Sequence, residues 1–159
     1  MAFAEDLLKQ AFLLVRKEPK NPSQASLRRA VSTAYYALFH LLIQEACANW
    51  NRRDTRDFLA RAFDHKTMKD ASARAESARY DPTVDPQVVS RLRKVVRAFR
   101  ELQQERHLAD YSNATKWTRA DALDRIERAQ AAFTNWKAIR NEFIAQRYLI
   151  SLLSRYKEG

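Results

Sequence analysis

Glycine is nearly missing from this sequence: of 159 residues, only Gly159 is one. That removes the positive-φ positions on which two-residue β-hairpin turns and phosphate-cradling loops depend, so Walker-type and dinucleotide-binding chemistries are excluded. No Gly-x-Ser-x-Gly elbow can exist either, which leaves Ser-His-Asp catalysis without support. Cysteine is as scarce. The single one, Cys47, sits in the apolar run 43–48 and reads as a small buried hydrophobe, with no disulfide framework and no sign of an oxidising compartment. Histidine occurs three times, as His40, His65 and His107, in separate segments and never at the His-x-x-x-His spacing of a helical ligand pair. Metal chemistry is set aside on that ground, and no cofactor is called for. No apolar run approaches the roughly 18 residues that span a bilayer, and Glu5, Asp6 and Lys9 stand in the first turns. The chain therefore reads as cytoplasmic, with no membrane partner.

Proline is confined to positions 19, 22, 82 and 86, and the rest is rich in Ala, Leu, Arg, Glu and Gln, which are good helix formers. The expected fold is all-α, an antiparallel four- to five-helix bundle in one domain over 1–159. A chain of this length buries roughly 68–70% of the surface it would expose unfolded. Apolar periodicity predicts five segments. The first covers about 3–17 and the second starts near Ser23 or Ser26 and ends near Asn49, burying Leu27, Val31, Ala34, Tyr35, Leu38, Leu41 and Leu42. The third covers about 55–78 and breaks near His65, and a loop follows at 80–84. The fourth starts with Asp85 as cap and Pro86 at the first helical position and extends to about Asp110. The fifth opens on Thr118-Arg119-Ala120-Asp121, a capping box with Asp in place of Glu or Gln, and runs past Trp136, Ile144 and Tyr148 to near Tyr156. Trp117 and Trp136 read as core or dimer-interface anchors.

The net charge of +10 comes from 29 basic against 19 acidic residues, and 20 of the basic ones are arginine, the side chain best matched to phosphate. RNA, a nucleotide or another polyanion is a plausible partner; an ordinary cationic surface is the alternative. On the fourth helix Arg93, Arg97, Arg100, Gln104 and His107 follow at steps of four, three, four and three, so they share one face. Such a row can hold a phosphodiester and supply a proton-transfer group, or it can be a solvated face balanced by Glu101 and Glu105. The apolar stripe Leu92, Val95, Val96, Phe99 and Leu102 continues by the same steps onto Arg106 and Asp110, placing a charged pair on the core side of the helix end. On the second helix Arg29, Thr33, Tyr36 and His40 share a stripe, where a tyrosine beside arginines can stack on a base or simply belong to the core. Asp110 is also read as the partner that neutralises Arg106 and locks the helix end.

Three stretches together resemble the HEPN family: 28–39 (Arg-Arg-Ala-Val-Ser-Thr-Ala-Tyr-Tyr-Ala-Leu-Phe), His65-Lys66, and Arg106-x-x-Ala109-Asp110-Tyr111. The likeness covers about 26–133. It implies a helical bundle pairing into a two-fold homodimer, with an Arg-polar-His motif from each copy meeting in a cleft. In active members that cleft cuts RNA without a metal and leaves a cyclic phosphate, the histidine assisting the 2′-hydroxyl and the arginine stabilising the phosphorane. Other members are partners of a minimal nucleotidyltransferase in toxin–antitoxin-like pairs, either as the toxin that the transferase neutralises or as a non-catalytic binding scaffold. On this chain the motif fits two registers. From Arg106, His107 takes the polar position and the expected histidine falls at Tyr111, Ser112 or Asn113; from Arg100, six residues precede His107 and Glu101 takes the polar position. Arg100, Arg106 and His107 are thus the expected catalytic set, Arg29, Tyr36, Arg93 and Arg97 the expected nucleic-acid contacts, and Asp110 and Tyr111 the structural end of the motif. A motif that only cements the dimer is the third reading.

Overall fold

In a computed structural model describing residues 2–154, all regular structure among the described residues is helical. The first helix, α1 (Ala2–Val15), stops short of Pro19. Ser23 then opens α2 (Gln24–Ala48), its hydroxyl accepting the Ser26 N–H at 3.1 Å and so satisfying an amide that a helix start leaves unpaired. A short 3₁₀ turn (Arg53–Thr55) leads into α3 (Arg56–Ala60), and Asp64 caps α4 (His65–Ser77) by accepting the Thr67 N–H at 2.8 Å. Asp85 caps α5 (Pro86–Tyr111), with Pro86 in the first turn. Thr118 caps α6 (Arg119–Ile139) through the Asp121 N–H at 3.0 Å, and α7 (Phe143–Ser151) follows.

Helices α1/α2, α2/α5 and α5/α6 run antiparallel, as the contacts at their ends show, whereas α2 and α6 run parallel, Gln24 meeting Trp117 at their starts and Glu45 meeting Trp136 at their ends. Phe3 of α1 meets His40 near the end of α2, whereas Glu18, just past α1, accepts from Ser26 at the start of α2. Arg28 at the start of α2 reaches Ala109 at the end of α5, and Glu101 and Glu105 pair with Arg128 and Arg125 of α6. Between them Leu27, Leu38, Leu42, Leu92, Phe99, Ile126 and Trp136 are fully buried, each worth about 1.5–3 kcal/mol relative to exposure. Cys47 and Trp117 are buried too.

One expected element is corrected. The segment after Thr118 is two helices, because the chain turns at 140–142: Glu142 adopts an extended conformation and its N–H bonds the Ile139 carbonyl at 2.8 Å. The Gln146 side chain caps the freed Arg140 carbonyl at 2.6 Å. The turn folds α7 back so that Ala145, Tyr148, Leu149 and Leu152 bury against α4 and α2, which a straight continuation would have carried away from the core. The expected end near Tyr156 lies outside the described residues.

Candidate functional site

The apolar stripe of α5 does run into Arg106. Its side chain is 13% exposed, and its guanidinium lies 5.3 Å from the ring centre of Tyr35 and 5.7 Å from that of Tyr36, both on α2. Two aromatic faces compensate a mostly desolvated cation by roughly 0.5–2 kcal/mol each. Asp110, one turn on, stands 3.7 Å from Nη1 and also accepts from the Ser32 hydroxyl at 3.4 Å. Arg106 Nε is buried with no acceptor among the described residues.

The third member comes from α4. His65, the first residue after its cap, stacks on Phe39 with centroids 4.3 Å apart, and its Nδ1 lies 2.6 Å from the Tyr35 hydroxyl. Gln103 of α5 donates to the His65 carbonyl at 3.2 Å and so fixes the start of α4 against α5. Burial first, and then the Arg106 charge, hold the His65 pKa below its ordinary value; burial likewise pushes the Tyr35 phenol up. With the phenol protonated and the imidazole neutral, this bond has two forms: Tyr35 donates to Nδ1 and the imidazole proton sits on Nε2, or Nδ1–H donates to the phenol oxygen and Nε2 is a free base. His40, whose pKa is lowered by burial and then by His65, closes the cluster against Phe3 and Phe39.

Tyr36 and Asp110, at the edge of this cluster, also line an open groove of about 460 Å³ between α2 and the end of α5, together with Arg28, Arg29, Ser32 and Thr33, while Arg106 and His65 stand behind them. Arg28 donates to the carbonyls of Ala109 at 3.2 Å and Thr115 at 2.8 Å, so its charge is spent on holding the helix end. Arg29 is exposed at the groove. Tyr36 belongs to both, facing the groove on one side and lying 5.9 Å from His65 on the other.

The structure thus brings Arg29, Tyr36, Arg106 and Asp110 to one place. It puts the other expected residues elsewhere. Arg100 and Arg97 share the Glu76 carboxylate of α4 at 2.8 and 3.0 Å, and those bonds, Arg100's first, hold Glu76 below the usual carboxylate range. Arg93 donates to the Ala78 carbonyl at 3.0 Å and covers the Tyr80 ring. His107, about 100° around α5 from Arg106, is exposed, with Tyr111 as its ring neighbour at 5.0 Å. Spacing along α5 could not reveal His65, because the partner lies on another helix; its signals are its place behind a capping Asp64 and in the His65-Lys66 stretch of the resemblance, neither of which points to Arg106. Tyr35 shows itself only as part of the core stripe of α2 and of the stretch 28–39.

A neutral imidazole, which can take a proton at Nε2 when its own proton sits on Nδ1 toward Tyr35, a guanidinium and an aromatic wall are together the groups needed to bind a phosphate, orient a base and move a proton. Among the described residues no three His, Cys, Asp or Glu side chains converge as a metal-ligand set, and no helix is long and apolar enough to cross a membrane. Comparison with family models, with curated proteins and with solved structures finds no match for this chain.

Proposed function

We propose that this chain is a HEPN-type protein that engages RNA or a nucleotide in the groove between α2 and α5, and that the reaction there is metal-independent cleavage of a phosphodiester. The observation carrying this reading is the seat of Arg106: a guanidinium held over two tyrosine rings, beside an imidazole that burial keeps neutral. In it Arg29 and Arg106 take the phosphate, Tyr36 stacks a base, and His65 rather than His107 transfers the proton. Two copies pair, and sedimentation of a monomer at micromolar concentration counts against that part.

RNA incubated with the protein in EDTA tests it. Wild type should cut and leave a cyclic phosphate. His65→Asn keeps an acceptor toward Tyr35 but cannot carry a proton, and should lose about 10²–10⁴-fold in rate, whereas His107→Ala should stay within about twofold of wild type. Wild-type rates from His65→Asn reject the assigned acid–base group.

One observation favours a second, non-catalytic reading: Asp110 already faces Arg106, and Tyr35 already occupies His65 Nδ1, so both groups are engaged without a substrate. In that reading the same groove docks a partner, for which a minimal nucleotidyltransferase is the candidate. RNA affinity without cleavage in EDTA is its signature.

A further inference from the structure

A crevice between α4 and α7 shares no residue with the α2–α5 groove. It lies toward the other end of α4 from His65; Ala75, at its centre, is ten residues on, about 15 Å along the helix axis. Three alanines of this stretch, Ala71, Ala75 and Ala78, are too short to fill the space toward Ile144 and Tyr148, and a cavity of about 280 Å³ is left. Its walls are fixed. The Tyr148 and Ser72 hydroxyls bond each other at 2.7 Å, and the Tyr80 hydroxyl donates to the Ala75 carbonyl at 2.6 Å.

Arg74, Arg79 and Arg147 line the crevice and, among the described residues, no carboxylate does. That is unusual in this molecule, whose arginines are mostly engaged. Arg97, Arg100, Arg125, Arg128 and Arg140 pair with carboxylates, and Arg28, Arg56, Arg93 and Arg119 donate to carbonyls. The Arg74 guanidinium bonds the Ser154 carbonyl at 3.3 Å. The side chains of Arg79 and Arg147, both exposed, have no hydrogen bond or ion pair among the described residues. The like charges of Arg79 and Arg147, which have no counter-charge among the described residues, repel one another, and an anion placed between them removes that cost. The fork of each guanidinium fits phosphate oxygens two at a time. A volume just under the roughly 300 Å³ at which ordinary small-molecule pockets begin limits the rest of the ligand to one small ring system.

We propose that the α4–α7 crevice is a second binding site, for a phosphate monoester carrying a single flat apolar ring, with the ring against Ala71, Ala75 and Ile144 and the phosphate on Arg79 and Arg147. A free small molecule and the phosphorylated end of a nucleic acid present the same chemistry. The site does not depend on what the α2–α5 groove does.

The test is an amide-resolved NMR titration of the whole protein with phenyl phosphate, inorganic phosphate and benzoate. Phenyl phosphate should shift the amides of 71–80 and 144–151 and bind about tenfold more tightly than either of the others. Arg147→Ala, at an exposed position that leaves the fold intact, should weaken it about tenfold. Ala75→Leu should fill the crevice and erase the advantage over inorganic phosphate. A short RNA binding here only with its 5′-phosphate assigns the site to chain ends; phenyl phosphate binding without it assigns a free small molecule. Equal affinity for phenyl phosphate and inorganic phosphate, shifts confined to the α2–α5 groove, or indifference to Arg147→Ala each overturn the proposal.

Discussion

His65 and His40 carry a cost that the solvent sets. Both lie below the ordinary histidine pKa of 6.5, chiefly through burial, with the Arg106 charge adding to it at His65 and the His65 charge at His40. The unfolded chain therefore binds protons near pH 6.5 that the folded chain refuses, and stability falls wherever the unfolded state holds more protons. The contribution is whole above about pH 6.5 and is lost as the pH drops below it. Urea midpoints should hold steady from pH 8 to 7 and decline from 6.5 toward 5.5, and His65→Asn should flatten that decline. Depressed carboxylates such as Glu76 titrate below the ordinary carboxylate value of 4.5, in a separate window. A profile in wild type that is level between pH 7 and 5.5 rejects the burial of these imidazoles.

The seam between α4 and α7 shows how one hydrogen bond has two values. The buried Ser72 hydroxyl contacts the Met68 carbonyl and the Tyr148 hydroxyl, both at 2.7 Å, whereas among the described residues the Tyr148 hydroxyl has Ser72 as its one partner. Tyr148→Phe leaves Ser72 its carbonyl and should cost about 1 kcal/mol, but Ser72→Ala strands a buried phenol and should cost about 2–3 kcal/mol. Denaturant midpoints at constant slope read both, and equal losses would deny the asymmetry. This seam was not legible in the sequence. Asp85-Pro86 and Thr118…Asp121 announce their helices because a cap acts on residues two or three positions away, and the α5 stripe shows itself because Leu92 to Arg106 is one continuous face. The turn at 140–142 has neither glycine nor proline; it exists because Tyr148 and Leu152 find a surface on distant elements. Arg97 and Arg100 misled for the same reason. Their spacing is periodic, but the Glu76 that engages them belongs to α4. Local chemistry shows in a sequence, and pairing across helices does not.

For the whole molecule, the charge of +10 sets the long-range attraction of a polyanion but not the number of guanidinium forks free to grip its phosphates. Most guanidinium groups bind carboxylates or carbonyls of the fold, and those left lining the two cavities are few: Arg29 at one, with Arg106 behind it beside Asp110, and Arg79 and Arg147 at the other. Two to four phosphate contacts on a single strand correspond to a slope of log affinity against log salt of about −1.4 to −2.8. Arg29→Ala should reduce it by about 0.7, while Arg97→Ala leaves it unchanged; a slope steeper than about −5 would mean that the whole basic surface binds. Arg28 has a different consequence. It grips backbone carbonyls 81 and 87 positions downstream, so a nascent chain leaving the ribosome cannot shape the α2–α5 groove until Thr115 has emerged.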